Sequence, residues 1–194
     1  MLLLVACTED GMKKGHSINI PKNLLQEGDL VFRRGTGVTS RIVLVADRKG
    51  TYSHVGILKK EDGEWYVIHA VPGEPDFEGE PDKVKMEPVD SFFTSPKAIC
   101  GAVMRVNVDT LACRKAAMRA KKFHKANTLF DHQYNLKDST EMYCTELVDY
   151  VFKKEGIDLI EGRISKLNLP GFKGEYILPS DVTQSKKLCL IYYF

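Results

Sequence analysis

The segment from Tyr52 to Val71 constrains the fold more tightly than any other. Two β-prone runs, residues 52–59 and 64–71, are rich in Tyr, Val, Ile and Trp and are separated by Lys60-Glu61-Asp62-Gly63, with Gly63 where a hairpin turn takes positive φ. Each run carries one histidine, His54 and His69. A four-residue loop at 60–63 or a two-residue loop at 61–62 sets His54 directly opposite His69, with Cβ atoms about 4.5–5.5 Å apart. A two-residue Asp62-Gly63 turn moves the pairing by one dyad and leaves both rings on one face. A three-residue loop with a bulge would put them on opposite faces.

Around this hairpin the chain alternates short elements. Gly28-Asp29 launches a strand at 30–33, and Val38, Ile42 and Val45 recur at helical spacing up to Asp47-Arg48-Lys49-Gly50. Residues 72–96 hold five of the eight prolines, which predicts loop with a short edge strand near 84–86. A strand at 99–106 precedes a helix capped by Asp109 and reaching about Asn127, with the stripe Ala112, Ala116, Ala120 and Phe123. A second helix runs through Leu147, Val148, Val151 and Phe152 and stops at Gly156. The remainder, with Pro170-Gly171 and Pro179, reads as loop-rich and ends in a strand-like run at 188–193.

The chain has 194 residues, 43% of them hydrophobic, and its 28 Lys+Arg balance 26 Asp+Glu, which suits a single soluble domain. Interspersed charge of both signs removes the case for a dedicated nucleic-acid binder. No run approaches the ~18 apolar residues that span a bilayer. The five cysteines (Cys7, Cys100, Cys113, Cys144 and Cys189) lack the close spacing of zinc knuckles or redox dithiols, and no disulfide framework is expected. Leu4-Val5-Ala6-Cys7 resembles a lipobox, where a lipoprotein precursor is cleaved and the new terminal cysteine is lipidated, although what precedes it is too short for a complete signal. The expected organisation is a partial lipoprotein signal at 1–7, a tether at 8–22 and one domain at 23–194. The chain would then be exported and lipid-anchored through Cys7.

Cys144 precedes an apolar-periodic stretch and so lies near a helix amino terminus, where unpaired N–H groups and the macrodipole favour thiolate. Asp138 with Glu141 could instead form a capping box that starts the helix earlier and leaves Cys144 in its second turn. A thiol nucleophile needs a base, and the base needs a partner to fix its tautomer; Cys144, His54 and His69 supply residue types for all three roles. The same three could hold zinc with an open fourth position in a non-catalytic binding module.

Gly28-Asp29-Leu30-Val31-Phe32, Tyr52-Ser53-His54-Val55-Gly56-Ile57 and Val67-Ile68-His69-Ala70 resemble, in order, the motifs of NlpC-type cell-wall cysteine peptidases. In that family the cysteine helix comes first. Here Tyr143-Cys144-Thr145-Glu146-Leu147-Val148 comes after the strands, and Leu178-Pro179-Ser180-Asp181 resembles a further segment, as in the circularly permuted, YiiX-like branch. The resemblance implies an α+β, permuted papain-like fold, in which a mostly antiparallel sheet packs against a cysteine-bearing helix. It implies Cys144 as nucleophile, His54 as general base and His69 as orienting residue, a place that is often a carboxylate in the permuted branch. Related sequences tend to carry Tyr-Asp where this chain has Phe130-Asp131, so Tyr134 or Tyr143 is the substitute oxyanion donor beside the Cys144 N–H. Glu146 is a candidate pocket acid, although acids are common in a first helical turn. The implied reaction is cofactor-free hydrolysis of an amide in a cell-envelope peptide or an N-acyl substrate. Acyl transfer, as in relatives of lecithin retinol acyltransferase, is the alternative chemistry. His16, His124 and His132 are read as solvated or structural.

Overall fold

The computed structural model describes residue 18 and residues 20–95, 97–169 and 172–194. Cys7, His16 and most of the expected tether lie outside the described residues. In chain order the elements are β1 (Leu30–Arg34), α1 (Val38–Ala46), β2 (His54–Glu61), β3 (Glu64–Val71), β4 (Lys83–Pro88), α2 (Val89–Phe92) and β5 (Cys100–Val106). They continue with α3 (Thr110–Lys125), β6 (Leu129–Phe130), β7 (Glu141–Met142), α4 (Cys144–Lys153), β8 (Ser165–Leu169), β9 (Phe172–Tyr176), α5 (Pro179–Thr183) and β10 (Leu188–Tyr193).

Eight strands form one curled sheet in the order β10-β5-β1-β2-β3-β4-β6-β7. The pairs are antiparallel apart from β6–β7. Both faces of the sheet are covered, so its central strands alternate between two cores rather than between core and water. Leu30, Phe32, Val55, Ile57 and Ile68 pack under α3 and α4 against Ala116, Ala120, Leu147, Val151 and Phe152. Val31, Leu58, Trp65, Val67 and Val103 face the other way, onto Ile20, Leu25, Val89, Phe92 and Phe93. Ile20 is 1% exposed. This side chain, from the segment read as tether, packs into the second core, with Ile18 against it.

Several expectations need amending. The 84–86 segment belongs to a six-residue strand that is not an edge, since β6 pairs beyond it through Lys83 and Leu129. The proline-rich stretch also contains α2, and the loop-rich carboxy-terminal region contains the β8–β9 hairpin, which forms a separate two-stranded sheet. The helix capped by Asp109 is as expected, with the Asp109 carboxylate accepting from Ala112 N–H at 3.3 Å. Among the described residues no helix is long and apolar enough to cross a membrane.

Candidate active site

The β2–β3 register runs from Ile57 opposite Ile68 to Glu61 opposite Glu64, closed by Asp62 (φ 49°) and Gly63 (φ 86°). This is the two-residue Asp-Gly turn, so the direct opposition of His54 and His69 gives way to the offset arrangement on one face. Continuing the register places Gly56 across from His69. A Cβ there would collide with Val67 Cγ1 and lie 3.2 Å from His69 Cβ, so any larger residue must push the neighbouring strand aside. The rings then meet diagonally, with His54 Nε2 2.8 Å from His69 Nδ1 and their planes at 76°. Phe92 of α2 packs against both, at 5.8 and 5.1 Å between centroids.

Cys144 is the first residue of α4, with Tyr143 as N-cap, which settles the two alternatives for the helix start. Asp138 and Glu141 do not begin it; Glu141 lies in β7, and the Glu146 carboxylate instead accepts from Tyr143 N–H at 3.3 Å. His54 and the half-buried Cys144, at the end of the sheet, line one cavity. Among the described residues neither imidazole is hydrogen-bonded to the sulfur, a contact that in such sites commonly tightens only when substrate is bound. Burial pushes the Cys144 thiol up, outweighing the backbone N–H groups of Val55, Thr145 and Cys144 that favour the charged form. Burial likewise holds His54 well below the usual imidazole value, with Arg33, His69 and Lys97 adding to it. Both directions favour the uncharged forms, thiol and imidazole, over the thiolate expected from the helix end.

Behind the histidines lies a charged cluster that the sequence reading missed. His69 is fully buried, and its Nε2 is 3.1 Å from Glu87 Oε1. Glu87 is held from its other side by Lys97, 3.0 Å from Oε2, while Arg33 approaches Oε1 at 3.8 Å. Arg33 pairs with Glu74 and donates to Phe92 O at 2.9 Å, and Lys97 also reaches Glu74 at 3.0 Å. Burial pushes the Glu87 carboxyl up, but His69 and Lys97 together bring it down to about 2. Lys97 is charged whatever the state of His69, so a carboxylate is the form we assign. A signal for Glu87 existed in the alternation Val84-Lys85-Met86-Glu87, which places Glu87 on the β4 face that neighbours His69 diagonally.

The cavity is about 290 Å³ and largely apolar, walled by α1 (Ile42, Val43), by Phe130 and Tyr134, by Leu167, Phe172 and Tyr176 of the β8–β9 hairpin, and by Leu178 and Pro179. Tyr134 has φ 54° and packs against Phe130, Tyr143 and Tyr176. Its phenol, pushed up to about 12 by burial, faces the cavity in its neutral form. Tyr143 also lines the cavity, but its hydroxyl accepts from Ile177 N–H at 3.0 Å. Accepting there leaves the Tyr143 O–H itself able to donate, so both tyrosines stay candidates for the oxyanion. Glu146 is buried and committed to Tyr143 N–H; it does not line the cavity, so the pocket-acid role gives way to the capping one. His132 sits on the rim, 3.2 Å from Asp82, and His124 packs on Val84 O. Cys113 is buried against Val106 O, as expected of a packing cysteine.

The sequence matches, over residues 24–192, the family described as permuted papain-like amidase enzyme, YaeF/YiiX, C92 family. The chain belongs to the C92 family. Family members are amidases and cysteine peptidases, and the permuted order, strands before the cysteine helix, is the one found here. The fold is also that of a solved protein titled metalloprotein yiiX from Escherichia coli O157:H7. The two share 21% identity and superpose with a TM-score of 0.68 over 86% of this chain and 96% of that one. Among curated proteins none matches the sequence. Among the described residues no three His, Cys, Asp or Glu side chains are placed to hold a metal ion, and three of the four ring nitrogens of His54 and His69 are turned on one another or on Glu87, a set that does not fit a metal.

Proposed function

We propose that the chain is a cysteine amidase in which Cys144 is the nucleophile, His54 the general base and His69 its orienting partner. The observation that carries this reading is the 2.8 Å His54–His69 contact at the end of a cavity whose wall includes Cys144 as the first residue of α4. Because burial favours the neutral forms of thiol and imidazole, proton transfer from Sγ to His54 accompanies attack on the substrate carbonyl rather than preceding it. The tetrahedral oxyanion is met by the amino terminus of α4, whose first N–H groups have no partner within the helix, and by the hydroxyl of Tyr134 or Tyr143. His54 returns the proton to the leaving amine. The thioester that remains is cleaved by water, from which His54 takes a proton while Sγ leaves and is reprotonated.

An apolar wall suits the acyl side of an N-acyl amide or an apolar peptide side chain. It is equally suited to acyl transfer, in which an amine or alcohol replaces water in the second half; product analysis with added acceptors decides between the two. An envelope location rests on the lipobox at Cys7 and is tested by labelled fatty-acid incorporation. The reading as a whole is tested by an electrophilic thiol probe followed by peptide mapping. Modification at Cys144 ahead of Cys100, Cys113 and Cys189, slowed by His54→Ala, is the expected result. No reaction at Cys144 in folded protein would overturn it.

A further inference from the structure

We propose that Glu87 sets the protonation of both imidazoles and so makes His54 a base toward Cys144; it is a positioning residue acting through His69. This rests on the reading of Cys144 and His54 as nucleophile and base. The inference follows from counting donors and acceptors along one row of contacts. Ionised by Lys97, which lies 3.0 Å away, Glu87 can only accept. Its Oε1 faces His69 Nε2 at 3.1 Å, a close contact short of full hydrogen-bond geometry, and neither atom has a hydrogen-bond partner elsewhere among the described residues. The attractive arrangement is the one with a hydrogen on Nε2.

A neutral imidazole carries a single N–H, so His69 Nδ1 is then an acceptor. The 2.8 Å contact must be donated by His54 Nε2–H. That leaves the lone pair on His54 Nδ1, the one ring nitrogen not occupied by His69 and the one able to take the thiol proton. Were His69 to carry its hydrogen on Nδ1, His54 Nε2 would become the acceptor, its hydrogen would sit on Nδ1, and the base would be blocked. One carboxylate two residues removed from the chemistry therefore fixes two tautomers in series. Both histidines are buried, His69 at 0% and His54 at 8% exposure, so water cannot reset either ring cheaply. When His54 takes the proton, the row places an acceptor and then a negative charge behind the new imidazolium.

The groups around the pair are Arg33 on β1, His69 on β3, Glu87 on β4, Cys144 on α4, and Glu74 and Lys97 from loops. Arg33 and Lys97 oppose an imidazolium and Glu74 and Glu87 favour one. Removing the Glu87 charge should lower the affinity of His54 for a proton.

Imidazole ¹⁵N spectra of the Cys144→Ala protein test the tautomers without any need for activity. Unprotonated Nδ1 and protonated Nε2 on both His54 and His69 is the expected result, and a proton on His54 Nδ1 overturns the proposal. In the active chain, Glu87→Gln is expected to lower kcat by roughly 10- to 100-fold with KM nearly unchanged, by analogy with loss of a triad's buried carboxylate. It should also move the acid limb of kcat/KM to lower pH, and Glu87→Asp should recover part of the rate. A Glu87→Gln protein with lowered thermal stability but an unmoved pH limb and kcat would make Glu87 structural and overturn the assignment. Failure of the underlying reading shows elsewhere, as retained activity in Cys144→Ala.

Discussion

At the scale of single residues, the candidate site sets side by side two groups whose charged forms burial disfavours. Burial raises the Cys144 thiol and lowers His54, so both effects favour uncharged partners. The ultraviolet difference spectrum between wild type and Cys144→Ser should accordingly show no thiolate band at neutral pH. Cys144→Ala should abolish activity, whereas His69→Ala should leave a rate reduced on the order of 10²- to 10⁴-fold, since water can partly stand in for an orienting group. Glu87 changes what a carboxylate at position 69 would do. His69→Glu places a second carboxylate against Glu87, and two such groups cannot both ionise freely. The single variant should be poorer than the double variant His69→Glu/Glu87→Gln, in which one carboxylate sits directly behind His54; equal rates for the two would refute this. His54, His69 and Cys144 were legible from residue type and motif. Glu87 was not, because its partners Lys97 and Arg33 lie 10 and 54 positions away and its own strand is embedded between prolines.

The element that governs the geometry is the β2–β3 hairpin, and here the sequence left two same-face registers open. Turn residues decided between them: Asp62 and Gly63 both adopt positive φ, which fits a two-residue turn whose twist matches the strands. Gly56 is the second determinant. Gly56→Ala should cost about 1–3 kcal/mol through overpacking against Val67. It should also lower kcat disproportionately, because the strand it displaces carries His69; denaturant melts and rates on one preparation check both parts. The β8–β9 hairpin escaped notice for a physical reason. It stands apart from the main sheet, and Lys166, Lys173 and Glu175 on it are solvent-facing, so no sustained apolar alternation marks it. It nonetheless contributes Leu167, Phe172 and Tyr176 to the cavity.

Over the whole molecule, fold class and the helix-on-sheet arrangement were readable from the order of motifs, while the second core beneath the histidines was not, being assembled from Ile20, α2 and scattered strand positions. One global property follows from α4. Burial pushes the Glu146 carboxyl up to about 8, against the pull of Tyr143 N–H and with help from Asp131, Asp138 and Asp149. The folded state thus binds this proton more tightly than the unfolded chain does, and stability should fall as pH rises from the ordinary carboxylate range to about 8. Glu146→Gln, which keeps an acceptor for Tyr143 N–H, should flatten that decline and be the more stable form at pH above 8 by on the order of 2 kcal/mol. Thermal melts across pH decide it; parallel curves for the two proteins would count against a raised carboxyl.

The permuted order of the chain also imposes a schedule. During synthesis the amino-terminal half emerges first, bearing His54, His69 and Glu87; Cys144 follows, and the cavity wall from β8, β9 and α5 comes later still. Strand β10, which closes one edge of the sheet, follows all of these in chain order. A chain interrupted anywhere before residue 144 carries both histidines without the cysteine proposed to react. On the proposed reading the nucleophile and the later cavity wall come after the base, and a product truncated before them is expected to be inert.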